Sequence, residues 1–421
     1  MSLAENTPAP DGRLAEIVAN LKAEDSDDRR WVMYDLEELD PKITLPYLIE
    51  GILDEHRAVR EAASEVLENV PAEVGARELV PLLGSERIEV RNIVAAIFVK
   101  YGEAVIDPLL EALFNGNEDV RKFSADILGL TRKETAVESL CQVVLEDEVE
   151  NVAISAVEAL GKIGSSMALP TLFKVLNGDR GMQAEAAEAI GLIADPGAVG
   201  ELEKHLTVSN PIIQYAVIEA LGTLGQESSL DKLQPLIDTA PDILKEQITR
   251  TILTIGHKRD CCVLGRFSGD LLNYLPNLMQ DHQQEMVNLL SHQLTLSPSK
   301  EILERLFQIS EKLPSSLLVA LINTVKDKPD MLQHICHLVD VEDDWVAYTA
   351  LEALGEHDQQ MAVETIQKVL HEGDGLPVLA ALKTVGRLNL TAARHDILRL
   401  TQHIDEDIRG AAERALAELK D

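Results

Sequence analysis

The sequence predicts an all-α fold, a right-handed solenoid of about thirteen two-helix repeats. Three observations carry this expectation. The stretch at 150–161 (Glu-Asn-Val-Ala-Ile-Ser-Ala-Val-Glu-Ala-Leu-Gly) recurs at 210–222 and 344–355, and cruder copies surround Val59, Val90, Val120 and Ile408. The copies are keyed to positions 29, 59, 90, 120, 152, 182, 213 and 244, then 346, 377 and 408, so that within each series they lie 30 to 32 residues apart. Each copy also follows a second apolar-striped stretch bearing an early proline, as at Pro46, Pro81, Pro108 and Pro170.

Within a copy, apolar or small residues fall three, four, seven and eight places after the key residue. At about 100° per residue that spacing makes one continuous helical stripe. The Asp, Glu or Asn just ahead is an N-cap or first-turn anion, and the Gly is placed to end the helix. An early proline costs the upstream helix little, because its missing N–H has no intrahelical partner there. Four segments follow. Residues 1–12 are expected to be a disordered tail, 13–256 regular repeats, 257–341 irregular repeats, and 342–421 regular repeats ending in a cap. In the irregular segment the key positions fall near 283 and 317, and the stretched spacing predicts a loop or bend.

The shared pattern is acidic, x, Val-Arg, x, small, Ala, x, Glu, Ala, Leu, Gly. It resembles HEAT repeats, in particular the short bacterial variety typified by phycobilin lyases, over 14–256 and 342–421. The resemblance implies an armadillo-like α-solenoid. Proteins of this kind serve as scaffolds, adaptors and, in a few cases, enzymes.

Composition narrows the function. The 421 residues are 46% hydrophobic but only 3% aromatic, which suits helices packed through Ala, Leu, Val and Ile. A formal charge of -34 argues against nucleic acid and against an anionic membrane surface, both of which need Lys and Arg. It favours partners with basic patches. The polar, proline-bearing start shows no signal peptide, no apolar run is long enough to span a membrane, and four cysteines make no disulfide framework. A cytoplasmic location is expected.

Six places after the key residue, helix geometry points away from the apolar stripe. That column holds Asp35, Glu65, Ala96, Asp126, Glu158, Glu188, Glu219 and Arg250, and later Glu352, Lys383 and Arg414. Stacked repeats would set its members roughly 10 Å apart. The acids could pair with the Arg of a neighbouring Val-Arg step, such as Arg60, Arg91 or Arg121. In the fifth to seventh copies, however, Ala153, Gln183 and Gln214 replace that Arg. Asp126, Glu158, Glu188 and Glu219 are therefore the candidate contacts for a cationic partner. Two places after the key residue stand Trp31, Tyr215 and Tyr348, candidate aromatic anchors on the same concave face.

No catalytic, cofactor or metal site is expected. His334, Cys336 and His337 have metal-ligating atoms, as do His257, Cys261 and Cys262, but neither set offers two spaced ligand pairs. Gly-rich phosphate loops and nucleophile elbows are absent. The expected function is a non-enzymatic protein–protein interaction scaffold gripping basic or extended segments. One alternative is a phycobilin-lyase-like or chaperone-like protein holding a small ligand or cofactor-bearing protein near 257–341. Another is an accessory protein of a bacterial signalling or chemosensory system.

Overall fold

The computed structural model describes residues 12–266, 272, 275–276 and 283–419. Every regular element among them is a helix, and the fold is an all-α solenoid. It is built as two compact units, Met1–Leu224 and Gly225–Asp421. In each unit the second helices of successive hairpins stack on one another. Those of the first unit are Ser26–Glu37, Arg57–Leu67, Ile88–Tyr101, Glu118–Thr131, Glu150–Ile163, Gln183–Ile193 and Pro211–Leu224. Those of the second are Asp242–Arg259, Gln283–Thr295, Ser315–Val325, Asp344–Leu354, Gly375–Leu388 and Glu406–Glu418. The apolar stripe of each faces its neighbours: Val59, Val90, Val120 and Val152 are all buried, as are Leu67, Phe98, Leu128 and Leu160 eight places on.

The expected tail at 1–12 lies outside the described residues, apart from Gly12, which opens the helix Gly12–Ala19. In the irregular segment, much of 267–282 likewise lies outside them. The key position near 317 is buried Leu317, early in Ser315–Val325.

The first repeat is out of register by one residue with the sequence reading. Arg29 donates from Nη1 to the carbonyls of Ala23 and Glu24, six and five residues back. Arg60 does the same to Asp54 and Glu55, and Arg409 to His403 and Ile404. Arg29 is therefore the Arg of the Val-Arg step, and the key position is 28, occupied by Asp28. The caps agree. Asn117, Asp343 and Asp405 each accept from the N–H of the key residue three places on, and Asp25 stands three before position 28.

These arginines also correct the pairing expected for the acid column. They turn towards the hairpin ends rather than towards the column. Arg29 binds Asp54 through two hydrogen bonds of 2.8 and 3.1 Å, and Arg121 binds Asp147 at 2.7 and 3.0 Å. Both are inter-hairpin pairs with little solvent access. Arg87 and Arg180 reinforce the same corners by donating to the carbonyls of Asp54 and Asp147.

The late glycine of each copy does more than end a helix. Gly161 lies inside Glu150–Ile163, and the left-handed cap is Gly164 at φ 78°. A Cβ on Gly161 would lie 2.9 Å from the Cα of Ala189. Gly129 meets Ala159 at 2.8 Å and Gly191 meets Ala220 at 2.9 Å in the same way. The Gly-to-Ala step thus lets backbones of adjacent second helices touch, which any side chain would prevent. Proline placement also differs at one point. Asp40 caps a helix that starts at Pro41, so Pro46 sits in its interior rather than in its first turn.

Candidate interaction face

Each second helix buries one stripe and leaves the opposite side in solvent. The six-place column occupies that open side: Glu65, Glu158, Glu188 and Glu219 are exposed, and Asp126 is half-buried. In the first repeat the register shift replaces Asp35 with Tyr34. The Tyr34 hydroxyl donates to Glu65 Oε2 at 2.7 Å, bridging two hairpins. Asp126 pairs with Lys122 at 3.0 Å and Glu158 with Lys162 at 3.4 Å, each one turn away on its own helix.

Glu188 differs. It has no hydrogen-bond or ion-pair partner among the described residues. Partial burial, then the carboxylates of Glu219, Glu185 and Glu158, push its carboxyl above the ordinary range. Three stacked helices therefore bring these four carboxylates into electrostatic contact. A groove of about 320 Å³ runs between Gln183–Ile193 and Pro211–Leu224, with Glu188 and Glu219 on its wall and Gly191 and Ala220 at the close helix contact.

Glu185 escaped the sequence reading. Its Oε2 is buried without a hydrogen-bond partner. Its spacing was a usable signal, since residues three apart share a helix face and Glu185 lies three before Glu188.

The three aromatic candidates fare differently. Trp31 is 61% exposed, with Tyr34 5.9 Å away and the Arg30 guanidinium 5.9 Å from both rings. Tyr215 is half-buried. Tyr348 is half-buried and engaged: its hydroxyl donates to Glu352 at 2.9 Å, and Lys383 Nζ lies 4.8 Å from its ring and 3.2 Å from Glu352. The exposed ring there is Trp345, which stacks on Tyr348 with centroids 5.3 Å apart. Trp345 was missed because it stands one place before the key residue, where the repeat pattern assigns no role.

Among the described residues no three His, Cys, Asp or Glu side chains converge as metal ligands. His334 stacks on Phe307, His337 donates from Nδ1 to the Gln333 carbonyl at 2.6 Å, and burial pushes the Cys336 thiol up. No described helix is long and apolar enough to cross a membrane.

A family model agrees with this build. The family described as HEAT repeats matches residues 106–181 and 169–252, so the chain carries HEAT repeats through its central hairpins. The bilin biosynthesis protein PecE of Mastigocladus laminosus is 26% identical over 136 residues, covering 30% of this chain. The match spans 51% of PecE, about half the length of that relative. Among solved structures, a crystal structure of importin beta is 13% identical with a TM-score of 0.46, covering 96% of this chain and 68% of that one. A structure in which Kap95p binding induces the switch loops of RanGDP to adopt the GTP-bound conformation is 10% identical with a TM-score of 0.48, covering 96% and 73%.

Proposed function

We propose that this protein is a non-enzymatic interaction scaffold whose second-helix face, lined by Asp126, Glu158, Glu188 and Glu219, binds a protein partner through basic or extended segments. The observation that carries the reading is the carboxylate contact around Glu188. Burial first and then the neighbouring carboxylates raise its carboxyl, and no described cation pairs with it. A Lys or Arg from outside would relieve that repulsion and gain charge-assisted bonds. Trp31 and Tyr215 are the aromatic contacts proposed along that face of the first unit, and Tyr348 is the aromatic contact proposed on the second-helix side of the second unit. Electrostatic complementarity of this kind sets association rate and specificity more than affinity. The partner is expected to have a basic surface, nucleic acid is not expected to bind, and the cytoplasm is the proposed location.

The test is affinity capture with Glu158, Glu188 and Glu219 each changed to Lys in one variant, at low and high ionic strength. The partner captured by the wild type should be lost from the variant and weakened by salt. Equal retention by both proteins at high salt refutes the acidic-face reading.

The similarity to PecE favours a second reading, a lyase-like protein that holds a bilin or a bilin-bearing protein. Titrating the purified chain with an open-chain tetrapyrrole separates the two. A saturable, stoichiometric absorbance change supports the second reading, and an unchanged spectrum eliminates it.

A further inference from the structure

The second unit contains a groove that the acidic second-helix face does not use. It encloses about 880 Å³ between the hairpin of Lys300–Gln308 with Ser315–Val325 and the next first helix, Leu332–His337. Its floor is apolar, with Phe307, Leu313, Leu318 and Leu338 all buried beneath it. One wall is the Phe307–His334 stack, whose rings lie 5.1 Å apart and 17° from parallel. Carboxylates line the rim on both sides, Glu311 from the first hairpin and Asp340, Glu342 and Asp343 from the second.

The rim charges are not equally occupied. Asp343 caps Asp344–Leu354 by accepting from the N–H groups of Trp345 and Val346. Asp340 pairs with Lys368 at 3.0 Å. Glu311 and Glu342 are exposed and have no hydrogen-bond or ion-pair partner among the described residues. No Lys or Arg lines the groove.

We infer that this groove is a second docking site, whose occupant is an extended protein segment carrying an apolar side chain between Arg or Lys residues. The inference rests on the pairing of an apolar floor with two unneutralised rim carboxylates, Glu311 and Glu342. An apolar side chain removes the floor from water, which is the main source of affinity in such grooves. The flanking cations meet Glu311 and Glu342, and a planar guanidinium can also lie against the aromatic wall. The lining comes from two hairpins and opens to solvent between them, so a chain can pass through rather than be enclosed. An anionic ligand is disfavoured by the unpaired Glu311 and Glu342 and by a lining that holds no Lys or Arg. The site is distinct from the face proposed above, because it shares none of that face's residues.

The test uses the full-length chain and a fluorescein-labelled peptide with one leucine between two arginines in a glycine–serine frame, read by fluorescence anisotropy. Replacing the peptide leucine with serine should weaken binding by about tenfold, as should the Glu311→Lys, Glu342→Lys double variant. Both changed residues are exposed and partnerless, so the variant should fold, as circular dichroism will verify. The Glu158→Lys, Glu188→Lys, Glu219→Lys variant should bind the peptide like the wild type. Hydrogen exchange should slow at 307–318 and 334–343. The inference is overturned if the serine peptide binds equally well, which reduces the site to nonspecific charge. It is overturned too if the rim variant binds normally or protection falls elsewhere. Displacement of the peptide by an equal concentration of spermine would assign the groove to small polycations instead.

Discussion

Arg121→Met should destabilise the first unit by about 3 kcal/mol, and the geometry of one corner fixes that estimate. Arg121 donates twice to Asp147, at 2.7 and 3.0 Å, and once to the Asn115 carbonyl at 2.9 Å. The Asp147 side chain is 8% exposed and that of Arg121 15%. Removing one partner of such a pair leaves the other charge buried, at a cost of roughly 3–5 kcal/mol. The lower end applies, because Asp147 keeps the Val149 N–H at 2.9 Å and Arg180 remains nearby. Changing Asp147→Leu as well removes the stranded charge and should restore more than half the loss, leaving about 1 kcal/mol for the missing turn bond.

The pH dependence of the effect has a definite sign. Burial opposes ionisation of Asp147, but Arg121 and the Val149 N–H more than offset it and hold the carboxyl below the usual carboxylate range. A group depressed in the folded state contributes stability above its unfolded value, near pH 4, and loses it as pH falls through the lower folded value. The gap between wild type and Arg121→Met should therefore be full at neutral pH and close only below about pH 4. Urea unfolding across that range measures it. A cost under about 1 kcal/mol, or a double variant weaker than the single one, would refute the reasoning.

Two further outcomes follow from helix contacts. Gly161→Val should cost roughly 3 kcal/mol, because its Cβ would press on the Ala189 backbone, whereas Gly116→Ala, with nothing within 4 Å, should be near neutral in thermal unfolding. The Glu188 carboxyl is raised in the folded state, so ionising it weakens the fold as pH rises through that raised value. Glu188→Gln should then stabilise the first unit by a few tenths of a kcal/mol at pH 7 and by nothing below pH 4, with an NMR titration midpoint for Glu188 above that of an unperturbed glutamate. A midpoint at or below the ordinary value would remove the repulsion argument.

The architecture was legible because each hairpin repeats one physical requirement. Val59, Val90, Val120 and Val152 are buried because a period near 30 returns the same stripe to the same neighbour. The first repeat is ambiguous in sequence because Asp28 stands where its equivalents are apolar, and Arg29 fits the period near 30 equally well. Only the Arg29 hydrogen bonds and the Asp25 cap fix that register. Gly161 was legible as a glycine but not as a contact. Helix-end chemistry and helix-to-helix approach both select that residue, and only the position of Ala189 distinguishes them. The groove above Phe307 was not legible at all, since it is formed by residues some 30 apart that share no motif.

What the structure adds to the candidate face is a separation of tasks. The least exposed ion pairs that tie neighbouring hairpins together in the first unit run through the corners, from Arg29 to Asp54 and from Arg121 to Asp147. Asp126, Glu158 and Glu188 take no part in them. Asp126 and Glu158 pair only within their own helices, at sites where such pairs contribute about 0.3–0.5 kcal/mol. Glu188 faces other carboxylates. Towards the column's start, by contrast, Tyr34 crosses to Glu65, and in the second unit Lys383 crosses to Glu352. Within the first unit folding thus uses the start of the column as a strut and leaves Glu188 beside other carboxylates. Glu188, which no described cation pairs, is where an external cation gains most, and it is the residue at which that gain should be measured first.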